Sequence, residues 1–369
     1  MTITIQIPGQ GHTAQGQPAW QTTRLHIPDG KVFPGLVNSH DHLDFNCFPR
    51  LGNRIYEDYT EWGKDIHEHN SDSIRPVLQI PGPLRTRWGL YKNLLSGFTT
   101  VVNHGPRLEL GNQPLITVIQ DCKSLHSLSG EPYWKFRLNR PLRTTRLIAI
   151  HIGEGTSPRA KKEIDTLCRW NLLRKDLVGI HGITMEESQA GHFKALVWCP
   201  DSNYFLYGQT ADIRRLKTRI PILFGSDSTL SAHWNIREQL RIARNMTDLN
   251  DTELLDALTT TPTAIWGRPA PGSILRPPAP ADGDFIVLNA RSLPEFFAAD
   301  PADILLVAHD GKLRLFDAAL ADQLPSPTDR CFSRIAIGNT IKYVQGDLPG
   351  LMKEIRHYHP GVEFPVRPA

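Results

Sequence analysis

The chain has 369 residues, 40% of them apolar and 21% charged, with a net charge of +3. That length suffices for one large α/β domain plus a small companion, and the composition is that of a soluble globular protein. The slight charge and scattered Lys and Arg exclude a nucleic-acid footprint, no apolar run reaches bilayer length, and Cys47, Cys122, Cys168, Cys199 and Cys331, widely spaced and without CxxC, indicate neither a disulfide framework nor a thiolate zinc site.

The amino terminus, Met1 to Ile7, lacks the basic start and long apolar stretch of a secretory signal, so a cytoplasmic address is expected. Residues 1–32 alternate apolar and polar positions (Ile3, Ile5, Ile7) and predict short antiparallel strands. From 33 to 266, apolar strand-like runs alternate with amphipathic stretches, the pattern of parallel βαβ units. Strands are expected at Val32–His42, Phe98–His104, Leu115–Asp121, Leu147–His151, Leu177–His181, Ala195–Cys199 and Ile222–Asp227, with a weaker eighth at Trp134–Leu138. The fold class is therefore α/β with a TIM-like barrel. The short segment before His151 leaves an incomplete or distorted barrel open.

Pro269–Asp282 is proline-rich and predicts a linker. Beyond it, Phe285–Leu288, Ile304–Ala308 and Leu313–Phe316 predict short strands, the last two joined by a tight hairpin at Asp310-Gly311. These are expected to form a small β-sandwich with the first strands, giving a composite domain of 1–32 and 267–345 around a barrel of 33–266. Residues 346–369 form a closing segment with a helix at Met352–Tyr358.

In four places an apolar run ends on a histidine or aspartate: His40-Asp41-His42, His151, His181 and Asp227. Carboxyl ends of parallel barrel strands meet on one face, and imidazoles with a carboxylate there suit a divalent transition metal. His40 and His42, two apart on a strand, project to the same side. A second HxH, His67-Glu68-His69, lies in the polar stretch Asp65–Asp72 and reads as a solvated helix or loop. Glu154, three residues past His151 in the turn Gly153–Gly155, is placed for proton transfer.

The run Pro34-Gly35-Leu36-Val37-Asn38-Ser39-His40-Asp41-His42 resembles the first-strand signature of the amidohydrolase superfamily. Gly97–His104, His151-Ile152-Gly153-Glu154, Leu177–His181, Cys199-Pro200-Asp201-Ser202-Asn203, Gly225-Ser226-Asp227 and Thr259–Ala264 are similar, in order, to segments of its cytosine deaminase and chlorohydrolase-like branch. The resemblance implies His40, His42, His151 and Asp227 as ligands of one divalent ion, zinc with iron as the alternative. Beside that set, Glu154 reads as the proton shuttle, His181 as a donor to developing charge or the group that orients the attacking water, and Asp227 as a second proton acceptor. Asn103, His104 and Asn203 are candidates for substrate contact or loop capping, and His233-Trp234-Asn235 for a pocket wall. Lys123, the one lysine near a fourth-strand region, does not stand at a readable strand end, which disfavours a two-metal site. Cys199, followed by Pro200, reads as a buried thiol. Trp198 departs from the branch, where a histidine is usual.

The expected activity is hydrolysis of a non-peptide carbon–nitrogen bond, namely deamination of an amino-substituted heterocycle. Its alternatives are hydrolysis of a cyclic amide or another leaving group at the same site, and a non-catalytic scaffold. A small-molecule substrate is the expected partner, with no nucleic acid or membrane; a homodimer stays open.

Overall fold

The computed structural model describes residues 1–12, 18–110, 114–141, 147–267, 283–324 and 331–369. The expected linker Pro269–Asp282 lies outside them. Strands β1 (Thr2–His12) and β2 (Pro18–His26) form an antiparallel pair with Ile3 opposite Leu25 and Ile5 opposite Thr23. The alternation seen in sequence places Ile3, Ile5 and Ile7 on one buried face with Leu25 and Ile27.

The single strand expected over Val32–His42 is divided into β3 (Lys31–Pro34) and β4 (Leu36–Asp41). The chain crosses between sheets at Gly35, where a Cβ would stand 2.3 Å from Thr99 Oγ1 and 2.7 Å from Asp284 Cβ. Only glycine allows that approach.

β4 begins a parallel series with β5 (Phe98–Asn103), β6 (Thr117–Ile119), β7 (Lys123–Leu125), β8 (Leu147–Ile152), β9 (Asp176–His181), β10 (Ala195–Trp198) and β11 (Ile222–Phe224). They form two sheets in chain order, β4-β5-β6 and β7 to β11. One apolar cluster joins Val37, Val102 and Ile119 of the first sheet to Ala149, Val178, Ile180, Ala195, Val197 and Leu223 of the second. The alternate residues Ile148, Ile150, Leu177 and Leu196 pack outward with the helices.

Only Gln120, Asp121 and Cys122 separate β6 from β7. β6 runs parallel to β5 and β7 parallel to β8. Parallel neighbours need a crossover of roughly a dozen residues, so Thr117–Leu125 is one bent run whose first part pairs with β5 and whose last part pairs with β8. Lys123 opens β7 and so stands at its amino start, away from the carboxyl end. One expectation fails here: Trp134–Leu138 is no strand but part of a helix, Trp134–Asn139. Trp134 and Leu138, four apart, share the apolar face of that helix.

The remaining strands are β12 (Phe285–Leu288), β13 (Ile304–His309), β14 (Lys312–Asp317), β15 (Phe332–Ile337), β16 (Thr340–Gln345) and β17 (Val366–Pro368). They order as β17-β15-β16-β14-β13-β12-β3, and β1 attaches to β14 at Gln6 opposite Lys312. Both ends of the chain thus enter one hydrogen-bonded sheet. The hairpin between β13 and β14 turns on Asp310 (φ 51°) and Gly311 (φ 68°), as its Asp-Gly pair predicts. The closing helix is longer than expected, Leu348–Tyr358, because Asp347 accepts the Gly350 N–H at its start. No helix among the described residues is long and apolar enough to cross a membrane.

Candidate active site

The ladder between β4 and β5 is regular at Val37–Thr100 and Asn38–Val101, then shifts register before Asp41–Asn103. Val37 joins the interior cluster and Ser39 Oγ accepts from Trp266 Nε1 of that cluster. Strict alternation would next send His40 outward. The irregularity re-aims the strand, so His40 and His42 turn inward and Asp41 turns toward the helix Gly82–Leu95.

His40 Nε2 and His151 Nε2 stand 3.2 Å apart. Asp227 Oδ1 lies 3.8 Å from His40 Nε2 and 4.0 Å from His42 Nε2. Nitrogens each about 2.1 Å from one ion would stand about 3.0–3.4 Å apart across right to tetrahedral angles, so the first spacing fits a shared cation. His151 Nδ1 donates to the His126 carbonyl at 2.8 Å, leaving the Nε2 lone pair free to bind. Burial, and then neighbouring imidazoles, hold His40 and His151 well below the usual histidine range, in the neutral form a metal needs.

Asp227 has a left-handed backbone (φ 57°). Its Oδ1 accepts from Ser228 N at 2.7 Å and its Oδ2 from Ser231 Oγ at 2.9 Å. Burial pushes its carboxyl up, but His42, His181 and these donors outweigh burial and hold it below the usual carboxylate range.

Glu154 follows β8 in a turn whose tightness depends on Gly155 (φ 137°), since a Cβ there would sit 2.4 Å from Glu57 O. Burial raises the Glu154 carboxyl; Asp227 adds to this, while His181 and Tyr207 oppose it. Tyr207 Oη donates to Glu154 Oε1 at 2.9 Å, and His181 Nε2 is 3.7 Å from the same oxygen. Val178 and Ile180 face the interior, so alternation alone would turn His181 away. Its φ of 69°, costly for such a residue, brings the ring back to the site.

His181 Nδ1 pairs with Asn203 Oδ1 at 2.8 Å, and Asn203 Nδ2 donates to Thr210 Oγ1 at 2.9 Å. That arrangement assigns the His181 proton to Nδ1 and turns Nε2 toward Glu154. Trp198 Nε1 also donates to Thr210 Oγ1, at 2.7 Å. Trp198 packs in the outer layer, so the residue that departs from the branch anchors this chain of contacts instead of lining the pocket.

Asn103 Oδ1 accepts from Leu43 N at 3.2 Å and its Nδ2 donates to Pro106 O, which ties two loops. His104 is buried 4.3 Å, centroid to centroid, from the His151 ring, and its Nε2 has no partner. Asn235 caps the helix Ile236–Asn245, whereas His233 and Trp234 line a separate cavity of about 480 Å³ with Phe48, Trp88 and Phe364. Cys199 is a buried thiol pushed well up by burial, with a ligand-capable sulfur within 4.8 Å of nitrogens of His40 and His181. His67 and His69 are exposed on the helix Tyr59–His69, apart from the cluster. The side chain of Lys123 lies outside the described residues.

Sequence reasoning missed His126, whose ring centroid is 5.1 Å from that of His151. It obeys the same rule as the others, a histidine ending a parallel strand, but β7 is too short to read as a strand. Tyr207 was missed as well; its spacing of four from Asn203 on the helix Pro200–Tyr207 was the available signal.

Neither a protein-family model nor a curated protein matches the chain. Solved structures do. An aminofutalosine deaminase from Helicobacter pylori, in complex with methylthio-coformycin, is 12% identical with a TM-score of 0.54, covering 77% of this chain and 87% of its own. A guanine deaminase from C. acetobutylicum with bound guanine is 12% identical at 0.53, covering 85% and 99%. An atrazine chlorohydrolase variant from Arthrobacter aurescens, complexed with zinc and atraton, is 12% identical at 0.57, covering 97% and 99%. The chain therefore shares the fold of these two deaminases and this chlorohydrolase.

Proposed function

We propose that this protein is a metal-dependent hydrolase of a non-peptide carbon–nitrogen bond, deaminating an amino-substituted heterocycle. The observation that carries the reading is the convergence of His40, His42, His151 and Asp227, with Glu154 and His181 beside them on the carboxyl ends of the parallel strands. The likeness to two deaminases and a chlorohydrolase supports it. We take the two parallel sheets as the wall of a distorted TIM-like barrel over 33–266. The strands of 1–32 and 267–345 form its sandwich-like companion, and 346–369 closes the fold.

His40, His42, His151 and Asp227 would hold one divalent ion, zinc by preference for a mixed nitrogen and oxygen set. When bound, such an ion acidifies a water and polarises the bond under attack. Glu154, raised by burial and steered by Tyr207, takes the water's proton as the carbon–oxygen bond forms. It returns that proton to the amino nitrogen as the carbon–nitrogen bond breaks and ammonia leaves. His181 Nε2 faces the same space and orients the attacking water. Asn203 and Asn103 act behind the site, holding His181 and the loop after His42, and His104 forms its inner wall. The test is ammonia release from a panel of amino-heterocycles by protein loaded with zinc or iron, with metal content measured in parallel. Ammonia release dependent on one metal equivalent per chain is expected; failure to bind any metal would overturn the reading.

A further inference from the structure

The proposed metal ligands come from two sheets that share no ladder among the described residues, His40 and His42 from the end of β4, His151 from β8 and Asp227 from just after β11. β4 pairs only with β5 and β11 only with β10 among the described residues. Across that seam the backbone contributes Ser226 N and Asp227 N, both donating to His40 O at 3.1 and 3.0 Å. The rest is a buried polar network that metal chemistry does not require. Lys92 and Asp41 are each fully buried, with Lys92 Nζ 3.2 Å from Asp41 Oδ2. Lys92 Nζ donates to Asn46 Oδ1 at 2.7 Å and to the Asp227 carbonyl at 2.9 Å. Asp41 accepts from Asn46 Nδ2 at 2.9 Å and from Asn93 Nδ2 at 2.8 Å. Asn38 Nδ2 donates to Asn93 Oδ1 at 2.8 Å and to Ser226 Oγ at 2.7 Å, closing the circuit from β4 through the helix Gly82–Leu95 to β11.

We propose that the buried Lys92–Asp41 pair is a clasp across this seam that positions His40 and His42 against Asp227, so that Lys92 is a positioning residue for the metal centre. The geometry suits that task. Asp41 lies between the two histidines, and the Lys92 ammonium binds both its carboxylate and the main chain of Asp227. One side chain of the intervening helix therefore ties the ligands on both edges of the gap. A buried ion pair is a weak source of net stability compared with apolar packing, whereas groups behind metal ligands commonly set affinity by 10–100-fold.

The inference rests on the metal reading above, and the experiment separates the two. Zinc affinity of the parent is measured first by competition with a chromophoric chelator; no uptake would overturn the metal reading itself. In Lys92→Met, matched in length but uncharged, zinc affinity should fall by roughly 10–100-fold. The visible spectrum of the cobalt-loaded protein should change as the ligands splay, while near-ultraviolet circular dichroism shows the metal-free fold retained. Should Lys92→Met not fold, Asp41→Asn, isosteric and neutral, gives the same reading. A folded variant of either kind that binds zinc within twofold of the parent overturns the clasp. So does loss of the fold in both, which would make the network a support of the chain and not of the ligands.

Discussion

Glu154 shares its buried pocket with a tyrosine hydroxyl and an imidazole, and each neighbour limits what its carboxylate can do. With Tyr207 on Oε1, the second oxygen is the one free to move a proton. Replacing Glu154 by Gln keeps the shape and removes the acceptor, so turnover should fall by about 10²–10⁴-fold with metal content unchanged. Loss of metal in that variant would make Glu154 a ligand. Because burial raises this carboxyl, its deprotonated form is lost at higher pH than for an ordinary glutamate. The acid limb of the rate profile should therefore lie above that of an ordinary glutamate and vanish in Glu154→Gln. At this scale His40, His42, His151 and Asp227 were legible because each ends an apolar run in the chain. Lys92, Tyr207 and His126 were not, since their meaning comes from partners far away in sequence. Lys92 did leave one trace, a charge set within Leu90-Tyr91-Lys92-Asn93-Leu94-Leu95.

The helix Gly82–Leu95 lies against the turn that follows His40 and His42, and Gly89 sets how closely. A Cβ at 89 would stand 2.2 Å from Leu43 O, against backbone that cannot yield as a side-chain tip would. Gly89→Ala should cost about 1–3 kcal/mol by overpacking and weaken zinc binding as well, because Leu43 directly follows His42. An unchanged melting midpoint would refute the close contact. Among the strands, the parallel series was legible from apolar runs. The break at Gly35 was not, because Val32–His42 is apolar on both sides of it and only the distant Asp284 and Thr99 reveal the crossing. The run Trp134–Leu138 misled because an apolar pair four apart in so short a segment reads equally as part of a strand. The register shift that turns His40 inward leaves no mark in sequence at all.

For the molecule as a whole, the histidine cluster ties stability to pH. His40, His104 and His151 are held well below 6.5, chiefly by burial. The unfolded chain takes up protons near pH 6.5 that the folded one refuses, so metal-free protein should be fully stable above that value. It should lose stability as pH falls toward the depressed folded values, by about 1.4 kcal/mol per pH unit for each histidine. Unfolding midpoints in chelator between pH 8 and 5 would show this, and a flat profile would contradict it. Zinc at about a thousandfold its dissociation constant should add about 4 kcal/mol at neutral pH. Removing residues 1–26 should lower the midpoint by uncovering Phe285, Val287, Leu306 and Phe316, yet spare the metal centre; loss of zinc binding would show that the two regions depend on each other. The docking of those first strands also has a consequence in time. Gln6 meets Lys312, and His26 binds the side chain of Gln323 through both its N–H and its carbonyl. At roughly 5–20 residues per second of synthesis, the first strands emerge from the ribosome about 15–60 s before their partners exist. For most of that interval Ile3, Ile5 and Ile7 have only Leu25 and Ile27 beside them and lack Phe285, Val287, Leu306 and Phe316. Until Gln323 has followed them out, the first strands of a nascent chain should therefore be its segment most prone to aggregate.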